Sequence, residues 1–327
     1  MDGQKSRIGG VEADSPIWLA PLAGVTSRTF REFHRRLGAG LVHTEMISAI
    51  GLSYRNRRTK DMIGDDGETG PVALQLFAPN ADELVKGAEI ALGARRFEAV
   101  EINMACPMPK VTKRGAGARL LENPSEAGRM VSALRPFGLP VWVKLRKTSP
   151  QGTRDFCRML VDSGADLLML HGRTPAQRYD GAADKGIISG MAAEFPGMLV
   201  ASGDFYEPED ARLYLDAGCV AVLAARGALR DAFLIPRTLS ALGYEVGDYI
   251  KKYVNPTPRD QLEAVISVGR AGLAREGERF AVILARRMLA GMFKGFPGAA
   301  AIRRECSSHK KWPAMEEFLT RQNDIML

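Results

Sequence analysis

The residues best suited to chemistry lie together in the stretch Glu101-Ile102-Asn103-Met104-Ala105-Cys106-Pro107, which runs into a glycine-rich loop carrying Lys110, Lys113, Arg114 and Arg119. A β-type run over 99–104 ends in a polar amide and then in a thiol fixed against a proline. A cysteine at the carboxyl end of a strand, with a loop to cover it, can deliver or accept a proton in a closed pocket. The competing reading is a buried structural cysteine, the usual fate of a lone thiol. The proline, the asparagine and the cationic loop argue for a site.

The elements that would position this thiol repeat along the chain. Short apolar β-like runs fall at 17–22, 41–46, 72–77, 99–104, 141–146, 167–172, 199–204 and 221–226, eight in all. Helical patterns lie between them at 27–37, 81–92, 124–134, 153–162 and 208–216. Strict alternation of β and α units calls for a parallel sheet, and eight units predict a (β/α)8 TIM barrel. A doubly wound open sheet is the alternative, weakened because no Gly-x-Gly-x-x-Gly follows the first run. In a barrel, chemistry sits where strands end, and the ends here carry Gln75, Asn103, Cys106, Lys144, Arg146, His171 and Arg173. After the last two runs, Ser202-Gly203-Asp204 and Ala225-Arg226-Gly227 place small residues where backbone N–H groups can approach a phosphate.

The 327 residues suffice for a large domain and a smaller one, taken here as a barrel over 1–244 and an all-helical domain over 245–327. Helical patterns at 259–275, 278–292, 298–306 and 313–319 follow the barrel with no further strand signal. The net charge of +7 is unevenly spread: residues 251–327 hold 14 Lys and Arg against 8 Asp and Glu. Such a surplus fits either a solvated face or a surface for a phosphate backbone. A further basic run, Tyr54-Arg55-Asn56-Arg57-Arg58-Thr59-Lys60, follows the second strand. The four cysteines stand far apart without a Cys-x-x-Cys pair, so no metal site is expected and a reducing cytosol fits. No signal-peptide core and no apolar run long enough for a membrane span are present, and a cytoplasmic protein is expected.

Taken in order, these motifs resemble the dihydrouridine synthases, flavin enzymes that reduce uridine in RNA. The resemblance rests on Ala20-Pro21-Leu22-Ala23-Gly24-Val25-Thr26 with Phe30-Arg31, then Thr44-Glu45-Met46, Gln75-Leu76-Phe77 and the Asn103/Cys106-Pro107 stretch. It continues through Val143-Lys144-Leu145-Arg146, His171-Gly172-Arg173-Thr174 with Gln177, Tyr179 and Gly181, then Gly203-Asp204 and Ala225-Arg226-Gly227. It implies FMN across the barrel mouth, its ring on Pro21, Leu22 and Ala23 and held by Gln75, Lys144 and His171. The phosphate would rest on Ser202, Gly203, Asp204, Ala225, Arg226 and Gly227. It implies that NADPH reduces FMN, that hydride passes to C6 of a flipped-out uracil, and that Cys106 protonates C5. An ordinary thiol pKa of about 8.5 keeps such an acid protonated at neutral pH. Asn103, Arg146 and Arg173 would contact the base, and Lys110 and Arg114 the RNA, tRNA in the first place and rRNA in the second. No protein partner is inferred. Ala105, Ser202, Ser27 and Lys185 depart from the family's usual Gly, Asn, Asp and aromatic residue.

Two other functions remain open from sequence. An FMN-dependent dehydrogenase of a free pyrimidine, akin to dihydroorotate dehydrogenase, would not need the basic appendix. A non-catalytic RNA-binding protein would ignore loss of Cys106.

Overall fold

The computed structural model describes residues 6–292 and 299–325. A hairpin comes first, β1 (Ser6–Ile8) and β2 (Val11–Ala13), turning through Gly9 and Gly10 at positive φ. Then follow β3 (Ile17–Leu19), β4 (Val42–His43), β5 (Ile47–Ser48), β6 (Val72–Phe77), β7 (Ala99–Met104), β8 (Val141–Arg146), β9 (Leu167–His171), β10 (Leu199–Ser202) and β11 (Ala221–Ala224). Every pairing from β3 to β11 is parallel, and β4 and β5 both pair with β6, so they are two halves of one broken strand. The result is the expected closed (β/α)8 barrel. At the break, the Thr44 hydroxyl accepts the Gln75 N–H at 2.9 Å, replacing a backbone partner.

Period-two alternation sorts the strand residues. One set faces the surrounding helices and forms the larger core; the other, including Trp18, Leu41, Ala73, Ala99, Trp142, Met169 and Val200, fills the barrel. The hairpin, absent from the sequence reading, closes the bottom: Ile8 and Val11 join the inner cluster, and the Trp142 indole donates to Gly9 O at 2.9 Å.

Several strands stop short of their expected ends. Residues 203–204 leave β10 at φ of +119° and +47°, conformations that no strand tolerates. The helix Lys185–Glu194 was not anticipated, because Gly186 and Gly190 dilute its pattern. Asp184 caps it by accepting from Ile187 N. The basic run at 54–60 is partly the helix Arg57–Asp61, with Asn56 as its cap.

Beyond the barrel come the helices Asp248–Lys251, Pro258–Glu276, Glu278–Gly291, Ala299–Ser308 and Trp312–Ile325. The last is longer than expected, and Gly298, the expected start of the one before, lies outside the described residues. A capping box between Thr257 and Asp260 starts the longest. Gly269 is required there, since a Cβ would lie 1.7 Å from the Trp312 ring.

These helices grip the first βα unit. Ser27 begins the helix Arg28–Arg36 without capping it. Glu276 does so instead, accepting from Thr29 N at 3.2 Å and Thr29 Oγ1 at 2.7 Å. Arg275 pairs with Glu32 at 2.7 Å, and Arg287 donates to the carbonyls of Ala23 and Gly24. No helix among the described residues is long and apolar enough to cross a membrane.

Candidate active site

The carboxyl ends of the strands open into one cleft. Pro21, Leu22 and Ala23 form one wall, Asn103 and Cys106 another, and Lys144, Arg146, His171 and the 202–204 and 225–227 turns the rest. A larger groove between the helices Ala81–Ala94 and Pro124–Leu134 lies on the barrel's outer face, away from every strand end.

Cys106 is half-buried, and its loop is held from several sides. Asn103 Oδ1 accepts from Ala105 N at 3.1 Å and Cys106 N at 2.9 Å, as a short capping turn. Ala118 N donates to Cys106 O at 3.0 Å, and Gly117 must be glycine, since a Cβ would come within 2.7 Å of that same oxygen. Arg146 binds Ala105 O at 2.8 Å and the carbonyls of Thr174 and Arg178 at 3.0 and 2.7 Å, tying the Cys106 loop to the loop after β9. Burial pushes the thiol up, only partly offset by the Met108 N–H and by Arg146 and Lys144. Cys106 is therefore protonated at neutral pH, as an acid must be.

Lys144 is 8% exposed, with Ser202 Oγ at 3.3 Å as its hydrogen-bond partner. An ammonium has three donors, so at least one remains for the cleft. Burial lowers its pKa. His171 is depressed first by burial and then by Lys144, Arg146, Arg173 and Arg226, and so it is neutral. Its Nδ1 accepts from Arg173 N at 3.1 Å, which leaves Nε2 as a donor.

The phosphate-type turns lie backbone to backbone: a Cβ on Gly227 would strike Phe205 O at 2.2 Å. Gly203 at φ +119° and the start of the helix Arg226–Arg230 form a small-residue cradle, with Arg226 beside it. This cradle, with a buried ammonium holding spare donors, suits a group with a phosphate at one end and carbonyl or nitrogen acceptors at the other. A flavin mononucleotide has that shape.

Three of the expected residues are engaged within the protein. Arg173, expected at the base, is 2% exposed; it grips both Asp204 oxygens at 2.8 and 2.7 Å and donates to Asp180 O and Gly181 O. Asp204 is correspondingly engaged, accepting also from Ala183 N at 2.7 Å and Arg226 at 3.0 Å, so its carboxylate braces the turn. Although burial alone would raise it, Arg173 and the Ala183 N–H bring the Asp204 pKa down. Gln75 lies beneath the cleft, bonded to Glu101 and Asn103 at 2.5 and 2.9 Å. Lys110 and Arg114 are exposed on the loop beside Cys106. Glu101 and His43, to which the sequence assigns no role, pair in the barrel interior. Their only signal was charge inside an apolar strand.

The sequence model of the family described as dihydrouridine synthase (Dus) matches residues 18–324. The chain belongs to the dihydrouridine synthase family. It is a flavin-dependent oxidoreductase. It is 32% identical over 308 residues to a probable tRNA-dihydrouridine synthase 1 of Synechocystis, covering 91% of this chain and 84% of that protein. With a probable tRNA-dihydrouridine synthase of Mycobacterium tuberculosis the identity is 31% over 334 residues, with 96% and 84% covered. With tRNA-dihydrouridine synthase B of Pseudomonas aeruginosa it is 28% over 333 residues, with 97% of each covered. Among solved structures, DHODH from Eimeria tenella in complex with ferulenol matches at a TM-score of 0.55 with 14% identity, covering 78% of this chain and 90% of that one. Morphinone reductase matches at 0.51 with 17% identity, covering 79% and 92%. At such identities these two share the fold.

Proposed function

We propose that this chain reduces uridines in RNA, tRNA in the first place and rRNA in the second, to 5,6-dihydrouridine in the cytoplasm. The observation that carries the reading is one cleft in which a protonated Cys106 shares space with the Asn103 amide, the Lys144 ammonium and a phosphate cradle. FMN, when bound, supplies the hydride that adds to C6 of the uracil, with NADPH as the source of its electrons. Cys106 gives its thiol proton to C5, so the C5=C6 double bond becomes a single bond, and the thiolate regains a proton from water. Asn103 and Arg146 orient the base, and Lys144 offers an N–H to the electron-rich edge of the cofactor. Pro21, Leu22 and Ala23 form the seat of its ring, and Ser202, Gly203, Ala225, Arg226 and Gly227 hold its phosphate. Lys110 and Arg114 on the rim, and the basic helices of 245–327, bear on the RNA backbone, while 1–244 carries the chemistry.

The test supplies purified protein with FMN, NADPH and either tRNA, rRNA or free pyrimidine, and weighs the RNA fragments by mass spectrometry. A gain of two hydrogens at defined uridines, with apparent affinity falling steeply as salt rises, is expected. Turnover of a free pyrimidine that is indifferent to salt, with RNA unchanged, would overturn the reading.

A further inference from the structure

Beneath the cleft, two ionisable side chains lie wholly buried and are not used by the chemistry above. Glu101 Oε2 is 3.2 Å from His43 Nε2, with both side chains at 0% exposure. Apart from each other, neither atom has a hydrogen-bond partner among the described residues. On its other side, His43 Nδ1 meets Leu19 O at 2.8 Å. A carbonyl only accepts, so Nδ1 carries a hydrogen. A neutral ring then turns a bare lone pair towards a carboxylate oxygen, and two acceptors cannot face each other in a dry core. One proton must lie between them.

We propose that His43 and Glu101 share a single proton and act together as a positioning pair, which leaves Lys144 unneutralised and turns the free amide hydrogen of Asn103 towards the cleft. Wherever the proton rests, on the carboxyl or on the ring, the pair is neutral as a whole. Burial lowers His43 to about 4 and raises Glu101, so on both groups it pushes the proton towards the carboxyl, while the charge of Lys144 lowers the two alike. The aromatic neighbours of His43 among the described residues, the indoles of Trp18 and Trp142 with centroids at 6.2 Å, carry no charge.

Two consequences follow. First, Glu101 cannot cancel the Lys144 ammonium, so the cleft keeps a positive charge for an electron-rich ligand. Second, the polarity of an amide chain is set. Glu101 Oε1 accepts from Gln75 Nε2 at 2.5 Å, so Gln75 Oε1 must accept, and it does so from Asn103 Nδ2 at 2.9 Å. Asn103 Oδ1 is then committed to the N–H groups of Ala105 and Cys106. What Asn103 has left is one N–H, a donor suited to a carbonyl oxygen of a base and unsuited to an amino group.

The inference rests on the flavin reading for its first consequence only. The first measurement is nitrogen-15 NMR of labelled histidine side chains, simple with four histidines, on the protein without cofactor. A His43 ring protonated at Nδ1, with Nε2 hydrogen-bonded and unchanged from pH 6 to 9, is expected. A ring protonated only at Nε2, or one that titrates near its ordinary value, would overturn the proposal. The second measurement is FMN affinity, read by flavin fluorescence without turnover. Glu101→Gln keeps an acceptor for Gln75 and offers an N–H to His43, so affinity should stay within about threefold of the unaltered protein. His43→Leu frees Glu101 to ionise against Lys144, and affinity should fall about tenfold. Adding Glu101→Gln to His43→Leu should restore it; a double variant as weak as the single one would mean that His43 acts by packing alone. If the unaltered protein bound no FMN, the flavin reading would fail while the NMR result still decided the pair.

Discussion

The lower and upper halves of the barrel interior are built by the same strands, yet they differ in kind. Below, the rings of Trp18 and Trp142 stack at 5.4 Å over the closing hairpin, among Leu41, Ala73, Ala99 and Val200. Two residues further along the strands, the inward positions read Gln75 after Ala73, Lys144 after Trp142, His171 after Met169 and Ser202 after Val200. One step of the strand alternation separates dry packing from reactive polarity. The lower layer fixes strand positions, and the upper layer can therefore hold buried polar groups whose partners are set within tenths of an ångström.

Changes in the two layers should fail differently. Cys106→Ala should cut dihydrouridine formation by about 10²- to 10⁴-fold while FMN binding and thermal stability stay, measured by product mass spectrometry and flavin fluorescence. Trp142→Ala should cost about 3–5 kcal/mol of stability in denaturant unfolding, with the remaining folded protein still binding FMN. If that variant kept its stability but lost FMN, the division into a packing layer and a reactive layer would collapse.

A buried imidazole outside the barrel sharpens the contrast by pH. His34 lies between the rings of Phe30 and Phe33, at 4.5 and 5.1 Å, and burial lowers it to about 3. A folded pKa below the unfolded one means that its stability contribution is full above about 6.5 and is lost as pH falls towards 3. Relative to His34→Leu, the unaltered protein should lose about 2 kcal/mol between pH 7.5 and pH 5, read from paired denaturant melts. Smallest of all, Glu276→Ala should cost about 1 kcal/mol by uncapping the helix Arg28–Arg36, and Ser27→Asp in that background should recover part of it.

Much of the barrel was legible because its signal is local. Alternating apolar runs and helical patterns mark eight units, and Cys106, Lys144 and His171 stand at run ends where a barrel opens. What escaped depends on closure. Arg173 and Asp204 are 31 positions apart and meet only because β9 and β10 are neighbours. His43 sits on a two-residue half-strand too short to show which way it points. The hairpin β1–β2 has three residues per strand, and its place becomes clear only when Trp142 is there to meet it. The cap of the helix Arg28–Arg36 escaped too, because Glu276, which accepts from Thr29, comes from the far end of the chain.

The reach of Glu276 also bears on the order in which the chain is finished. It lies 247 residues downstream of Thr29, and Arg287 lies 263 residues downstream of Gly24. During synthesis at about 5–20 residues per second, the earliest barrel helix and the loop before it wait roughly 10–50 s for their last contacts. A ribosome stalled after β11 but before the helix Glu278–Gly291 has emerged holds a barrel whose strands are all made and whose first turn is still unclasped.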